Sequence, residues 1–268
     1  PTRYCSPCSR SRRSPCRRAY VRVTHREDLL PIVEVTVSMS TSLLTKSAAM
    51  PALQAFYTPS CVQQLLRCLQ YSMLPLNQSM MAMLLQDDED FYPLYVGVRG
   101  ATHPQQGSCY RKAVLSLFET LAKQHSNCAV QYMQEEFQAL DRLGERELFG
   151  FLCMIERGCG YVSKSMSYDA VFASVVQPIL SNPSSPALCV MECVLICDVC
   201  FHLFSDANRS ECIQFCIEKM GHAAIAVQLT AVEALNHIIH NANCNLAVVH
   251  HLASSIVESL LRIYQVAT

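Results

Sequence analysis

Cys189, Cys193, Cys197 and Cys200, with His202 close behind, carry the ligand types that zinc takes in a tetrahedral site. Their spacing argues against one ion. Offsets of 0, 4, 8 and 11 run along one continuous helical stripe, and at helical rise they span roughly 16 Å. Cys197 and Cys200 could supply two ligands only if Cys212 and Cys216 supplied the rest from a facing helix. The stripe lies in an apolar run, where a thiol behaves as a small hydrophobe, so buried structural thiols and no metal are expected. Cys5, Cys8, Cys16 and His25 make a second zinc-like spacing, but it sits in a low-complexity stretch that lacks the rest of a zinc module. His237, His240, His250 and His251 read as polar-face helix residues rather than ligands or bases. The chain has no Gly-rich phosphate loop, no G-x-S-x-G elbow and no H-E-x-x-H helix. No catalytic residue, no enzyme activity and no cofactor are expected.

A different chemistry is offered by Asp87, Asp88, Glu89 and Asp90, followed at once by Phe91 and Tyr92. Four carboxylates beside two aromatic rings can hold a polybasic segment. The alternative is a solvated loop that only bridges two helical units; long loops divide between functional and disordered roles. Glu211, Glu218 and Glu258, on helices expected further along, add to the same acidic surface.

The elements that must position these residues are helical. Helix-pair starts fall near Ser108, Glu145, Ser185 and His222, which are 37, 40 and 37 residues apart. A period near 40 that is helical throughout is the mark of stacked helix pairs of the HEAT or armadillo kind. The fold expected is all-α: a HEAT-type α-solenoid, a right-handed superhelical stack of antiparallel helix pairs. Second helices would line a concave face, with first helices outside. The regular pattern runs up to Thr268 without the polar outer face that closes such a stack. The 268 residues therefore read as a segment of a longer array, or as one covered by a partner.

Composition agrees with a packed helical protein. Hydrophobic residues make up 51% and charged residues 16%, with only 8 Gly. No uncharged apolar run reaches the roughly 18 residues of a membrane span; Glu192, Asp198 and His202 interrupt the nearest one. The net charge of −1 conceals a split. Residues 1–26 hold eight Arg and no acid, whereas the remainder holds 13 basic and 22 acidic side chains. An acidic body suits basic protein partners, and direct nucleic-acid binding is not expected of it. Sixteen Cys in a long helical chain without an apolar signal sequence fit a reducing compartment better than a disulfide framework.

Three segments follow. Residues 1–26, rich in Arg, Ser, Pro and Cys, read as a disordered or non-native leader; an Arg-rich organellar presequence is the competing reading. Residues 27–107 read as helical repeats with a long acidic loop at 86–107. Ile32, Val33, Val35 and Val37 are β-branched and admit a strand, but the helical neighbourhood favours a helix. Ser60 is expected to cap a helix with Val62, Leu65, Leu66 and Leu69 on one face. Residues 108–268 read as four HEAT-like pairs. In the last pair, Ile225, Leu229, Val232, Leu235 and Ile239, then Leu252, Ile256, Leu260 and Ile263, read as core-facing stripes.

Three stretches, in order, resemble the middle portion of importin-β-superfamily nuclear transport receptors, nearest to the importin seven/eight branch and the exportin that recycles importin-α. The acidic, aromatic segment Asp87–Tyr92 precedes a repeat opening Tyr110-Arg111-Lys112-Ala113, with Leu117 and Leu121-Ala122. Val175-Val176-Gln177-Pro178-Ile179-Leu180-Ser181 is similar to a helix end of that family. Ala226-Val227-Gln228-Leu229-Thr230-Ala231-Val232-Glu233-Ala234-Leu235 is similar to its repeat core, followed by Ile256–Leu261. The likeness covers roughly residues 60–268, and the chain departs from it in having no Trp. It implies a Ran-regulated receptor that carries basic protein cargo, binds Ran-GTP and FG nucleoporins, and shuttles between cytoplasm and nucleus. The runner-up is a HEAT or armadillo scaffold subunit of a stable complex, such as a phosphatase, ribonucleoprotein or organellar assembly.

Overall fold

The computed structural model describes residues 30–75, 78–86 and 106–267, and it is all-helical, with no strand among them. Asp87, Asp88, Glu89, Asp90, Phe91 and Tyr92, and the leader 1–26, lie outside the described residues.

The first helix, α1 (Leu30–Ala49), contains the β-branched run that admitted a strand. It lies along α4 (Gln106–Gln124), so tertiary packing overrides a weak local preference. A 3₁₀ segment (Pro51–Phe56) leads to α2 (Pro59–Cys68). The cap of α2 is Thr58, whose hydroxyl accepts from the Cys61 amide at 3.3 Å; Ser60 is already inside. Pro59 fits at the first helical position because its missing N–H would have had no partner there. Val62 and Leu66 are buried, as is Leu69, which opens a π turn (Leu69–Met73) that ends the rod before Pro75. A short helix, α3 (Gln78–Leu85), follows.

From α4 onward the chain is a succession of helices joined by short links. A single residue, His125, links α4 to α5 (Ser126–Gln138). Next come α6 (Glu145–Val162) and a second rod made of α7 (Tyr168–Val171), a π turn (Phe172–Val176) and α8 (Gln177–Ser181). Then come α9 (Ala187–Val199) with α10 (Asp206–Lys219), and α11 (Ile225–Ile239) with α12 (Leu246–His251) and α13 (Ala253–Ala267). Leading helices start at residues 106, 145, 187 and 225, steps of 39, 42 and 38. They touch in order: α4 meets α6, α6 meets α9, and α9 meets α11. Every residue from Leu188 to Cys197 is buried, because α9 is enclosed by α6, α8, α10 and α11. A helix apolar on nearly all sides belongs inside the protein.

The last two helices keep part of the expected stripes: Leu235 is buried, and Val232 and Ile239 pack partly buried against the core. On α11 the buried residues are Ala226, Val227, Thr230, Ala231, Ala234, Leu235 and Ile238, while Ile225 is 41% exposed. On α13, Leu252 at its entrance, Ile256 and Ile263 pack against the core, but Leu260 is 42% exposed and Leu261 is 56% exposed. Leu260→Ala is accordingly expected to cost less than about 0.5 kcal/mol, the range of surface substitutions. Chemical denaturation checks this, and a loss of several kcal/mol would restore the original stripe.

Candidate partner-binding surface

The polar groups that the fold gathers are of two kinds: buried clusters that join helices, and acidic side chains on the trailing helices. Gln70, in the π turn after α2, is fully buried. Its Nε2 donates to Glu136 Oε2 at 2.9 Å, and its Oε1 accepts from the Tyr132 hydroxyl at 2.8 Å. Tyr71 donates its hydroxyl to the same Glu136 oxygen at 2.7 Å. Burial, then the bond to Glu136, pushes the Tyr71 hydroxyl up to about 12, so it stays a donor. A second cluster surrounds Arg111 of α4. Its Nη2 lies 3.7 Å from Glu192 Oε2 and 3.1 Å from Cys153 Sγ, and its guanidinium stacks 5.1 Å over the Phe149 ring. These groups join α2 to α5, and α4 to α6 and α9. They satisfy one another and face the interior.

The cysteine stripe is inside the protein. Cys189, Cys193, Cys197 and Cys200 are buried, and burial pushes the thiols of Cys189, Cys193 and Cys200 up, Cys189 to about 12. Cys197 is raised as well, first by its hydrogen bond to Cys212 and then by burial. Among the described residues no group of three or more His, Cys, Asp or Glu side chains is placed to hold one ion. Cys5, Cys8, Cys16 and His25 lie outside the described residues. Of the histidines, His237 pairs with Asp198 at 3.0 Å, bridging α11 to α9; His240 Nδ1 sits 2.7 Å from the Asn236 carbonyl, and His250 and His251 are exposed.

The acidic residues expected on second helices are on α10 and α13, which touch. Glu211 and Glu218 stand seven residues apart on α10, about 10 Å along the axis. Each has a partner: Glu211 Oε2 accepts from Gln177 Nε2 of the preceding rod at 3.1 Å, and Glu218 Oε1 from Lys219 Nζ at 2.8 Å. Glu258 is exposed on α13. Asp169 is a polar link the sequence reading missed. Its carboxylate accepts from the Ser205 amide at 2.9 Å and from Asn208 Nδ2 at 2.6 Å, tying the rod at α7 to the start of α10. The Ser205 N–H holds its carboxyl below the usual range. Asp169 follows Ser167, which caps α7 by accepting from the Ala170 amide at 3.3 Å; nothing in that local pattern marks a partner 36 residues away.

His125 gives a pH dependence. Its ring stacks on Tyr57 with centroids 5.7 Å apart, and its Nε2 is buried with no hydrogen-bond partner. Burial lowers its pKa below the ordinary 6.5. The unfolded chain therefore takes up the proton first as pH falls. Stability contributed by the neutral ring is complete above 6.5 and is lost as pH drops from there through the folded value. The urea midpoint is expected to fall over that window, and His125→Phe to flatten the fall. An equal pH dependence in the variant would assign the effect elsewhere.

None of the described helices is long and apolar enough to cross a membrane. Compared with known proteins, the chain matches no family model, no curated protein and no solved structure.

Proposed function

We propose that the chain is a non-enzymatic, protein-binding HEAT-type α-solenoid, and that it serves in a Ran-regulated nuclear transport receptor carrying basic protein cargo. The observation that carries the reading is the row α4, α6, α9, α11, each touching the next at steps of 39, 42 and 38 residues. Helix pairs repeated in a row present long surfaces rather than a cleft, and such surfaces curve around other macromolecules. Acid side chains on α10 and α13, together with the run Asp87–Asp90, favour a partner rich in Lys and Arg. Ran-GTP and FG nucleoporins enter by resemblance, as does movement between cytoplasm and nucleus.

Binding of a polybasic peptide tests this. Exposed charges are screened beyond about 8 Å at physiological salt, so affinity should fall steeply as salt rises. Changing Asp87, Asp88 and Asp90 to Asn and Glu89 to Gln should weaken binding and flatten the salt dependence. Unchanged affinity and slope would remove this acidic run from the site.

One observation favours a scaffold subunit instead. Val257, Leu260, Leu261 and Tyr264 form an exposed apolar row on α13, the kind of surface a permanent partner covers. A partner held by that row would stay bound at salt concentrations that release the peptide.

A further inference from the structure

Large apolar side chains that remain exposed gather at the two ends of the helix row. Among the described residues they fall between Met39 and Phe56 or between Ile225 and Tyr264, apart from Tyr161 on α6. The row runs α1, α4, α6, α9, α11, each helix touching the next, so α4, α6 and α9 each have a neighbour on two sides, and α1 and α11 stand at the ends. On α1, Thr41 and Ala48 are buried and Leu44 packs against the core, while Met39 and Leu43 are 64% and 67% exposed and Lys46 is exposed. At about 100° per residue, positions 39, 43 and 46 lie on the side of α1 opposite to 41, 44 and 48. On α13, Ile256 and Ile263 pack inward, and Val257, Leu261 and Tyr264 are exposed on its flank. The two exposed stripes share one spacing, four residues and then three, at which helix faces meet. Their charges are opposite. Lys46 lies in the α1 stripe, and Glu258 is exposed beside the α13 stripe. Arg262 turns back toward α10, its Nη1 3.4 Å from the place a Cβ on Gly221 would take.

We propose that a second copy of this chain covers these stripes head to tail: the outer face of α1 in one copy packs on the α13 stripe of the next and extends the row of helices past α11. Both faces are apolar, and apolar patches of this kind mark association surfaces. The charges choose the polarity. Pairing like with like would set Lys46 against Lys46, or Glu258 against Glu258, whereas head-to-tail contact sets Lys46 toward Glu258; like charges brought together penalise the wrong arrangement. The contact also continues one already present inside the molecule, where each leading helix covers its predecessor. A head-to-tail contact leaves one stripe of each kind free on any pair of copies, so it adds further copies until a ring closes or a filament grows. This association rests on the row of helices and not on the transport role.

Sedimentation of the full chain over a range of concentrations, with no peptide present, tests the proposal. The expected result is a mass that rises past two copies with concentration and falls again on dilution. Leu43→Glu and Leu261→Glu, both at exposed positions, should each stay monomeric with unchanged helicity. Mixed in equal amounts, the two variants should form a one-to-one pair that grows no further, because each supplies the stripe that the other has lost. Should a variant lose helicity, the wild-type series still decides. A wild type that is monomeric at every concentration overturns the proposal, since another occupant then covers the stripes. A mass that stops at two copies overturns it as well, since the contact is then symmetric. So does self-association of either single variant at the wild-type level, or a mixture that stays monomeric. Failure here leaves the cargo reading untouched, and failure of the polybasic peptide to bind leaves this contact untouched.

Discussion

Replacing Arg111 with Ala is expected to destabilise the protein by about 3–5 kcal/mol, as loss of one partner from a buried charge pair does. Arg111 and Glu192 are 8% and 1% exposed. The guanidinium sits opposite the Glu192 carboxylate, over the Phe149 ring, against Cys153 Sγ, and 3.4 Å from the Leu74 carbonyl. It thereby joins α4 to α6, α9 and the segment after α2 at once. Truncation takes the cation away from a carboxylate that water cannot reach, and it also removes the packing of the long side chain. The double variant Arg111→Met with Glu192→Met separates these effects. A buried pair replaced by apolar groups of similar volume is often neutral, so the double variant should recover most of the loss. Urea unfolding at constant m-value measures both. A single-variant cost below about 1 kcal/mol would show that solvent reaches the cluster.

The helical architecture was legible because it is written in local, periodic signals. Apolar stripes recur, Pro183 and Pro186 flank the start of α9, and the run from Ala187 is apolar on nearly every side. A boundary shifted by two residues where more than one cap was available: Thr58 rather than Ser60 for α2. Core faces were less legible. On α11 the large aliphatic Ile225 reaches an edge, while Ala226, Ala231, Ala234 and Thr230 fill the buried side. Close approach of two helices selects small residues, and a search for large apolar residues looks past them. Thr230 is buried because its hydroxyl donates to the Ala226 carbonyl at 2.7 Å, a bond internal to the helix.

The interior polar groups were illegible for another reason. Gln70 and Glu136 are 66 residues apart, and each alone reads as an ordinary solvated helix position. Only the meeting of α2 with α5 makes them partners. Arg111 and Lys112 stood in the sequence as a basic pair opening a repeat, yet Arg111 is buried and Lys112 is exposed. One residue on a helix turns a side chain by about 100°, enough to separate core from solvent. For the acidic surface, the sequence supplies residue type and helix, and the fold adds that Glu211 and Glu218 already hold side-chain partners.

Gly150→Ala sets two principles against each other, and sterics is expected to win. Gly150 lies inside α6, where helix propensity alone favours Ala by about 0.8–1 kcal/mol. It is buried against the π turn that follows α2. A Cβ at this position would overlap the Gln70 carbonyl oxygen and stand 3.1 Å from its carbonyl carbon and 3.3 Å from its Cα. These are backbone atoms, so no rotamer change relieves the overlap. The π turn must move, and Gln70 carries the hydrogen bonds to Glu136 and Tyr132 with it. Overpacking of a tight core costs about 1–3 kcal/mol, which exceeds the propensity gain, and loosening a buried hydrogen-bond network adds to it. The expected outcome is a net loss of stability, with faster hydrogen exchange confined to the α2, α5 and α6 seam. Gly160→Ala is the internal control: it lies near the end of the same helix with open space where its Cβ would go, so propensity should prevail and the change should be neutral or slightly stabilising. If Gly150→Ala were as benign as Gly160→Ala, the close approach of the π turn to α6 would be refuted.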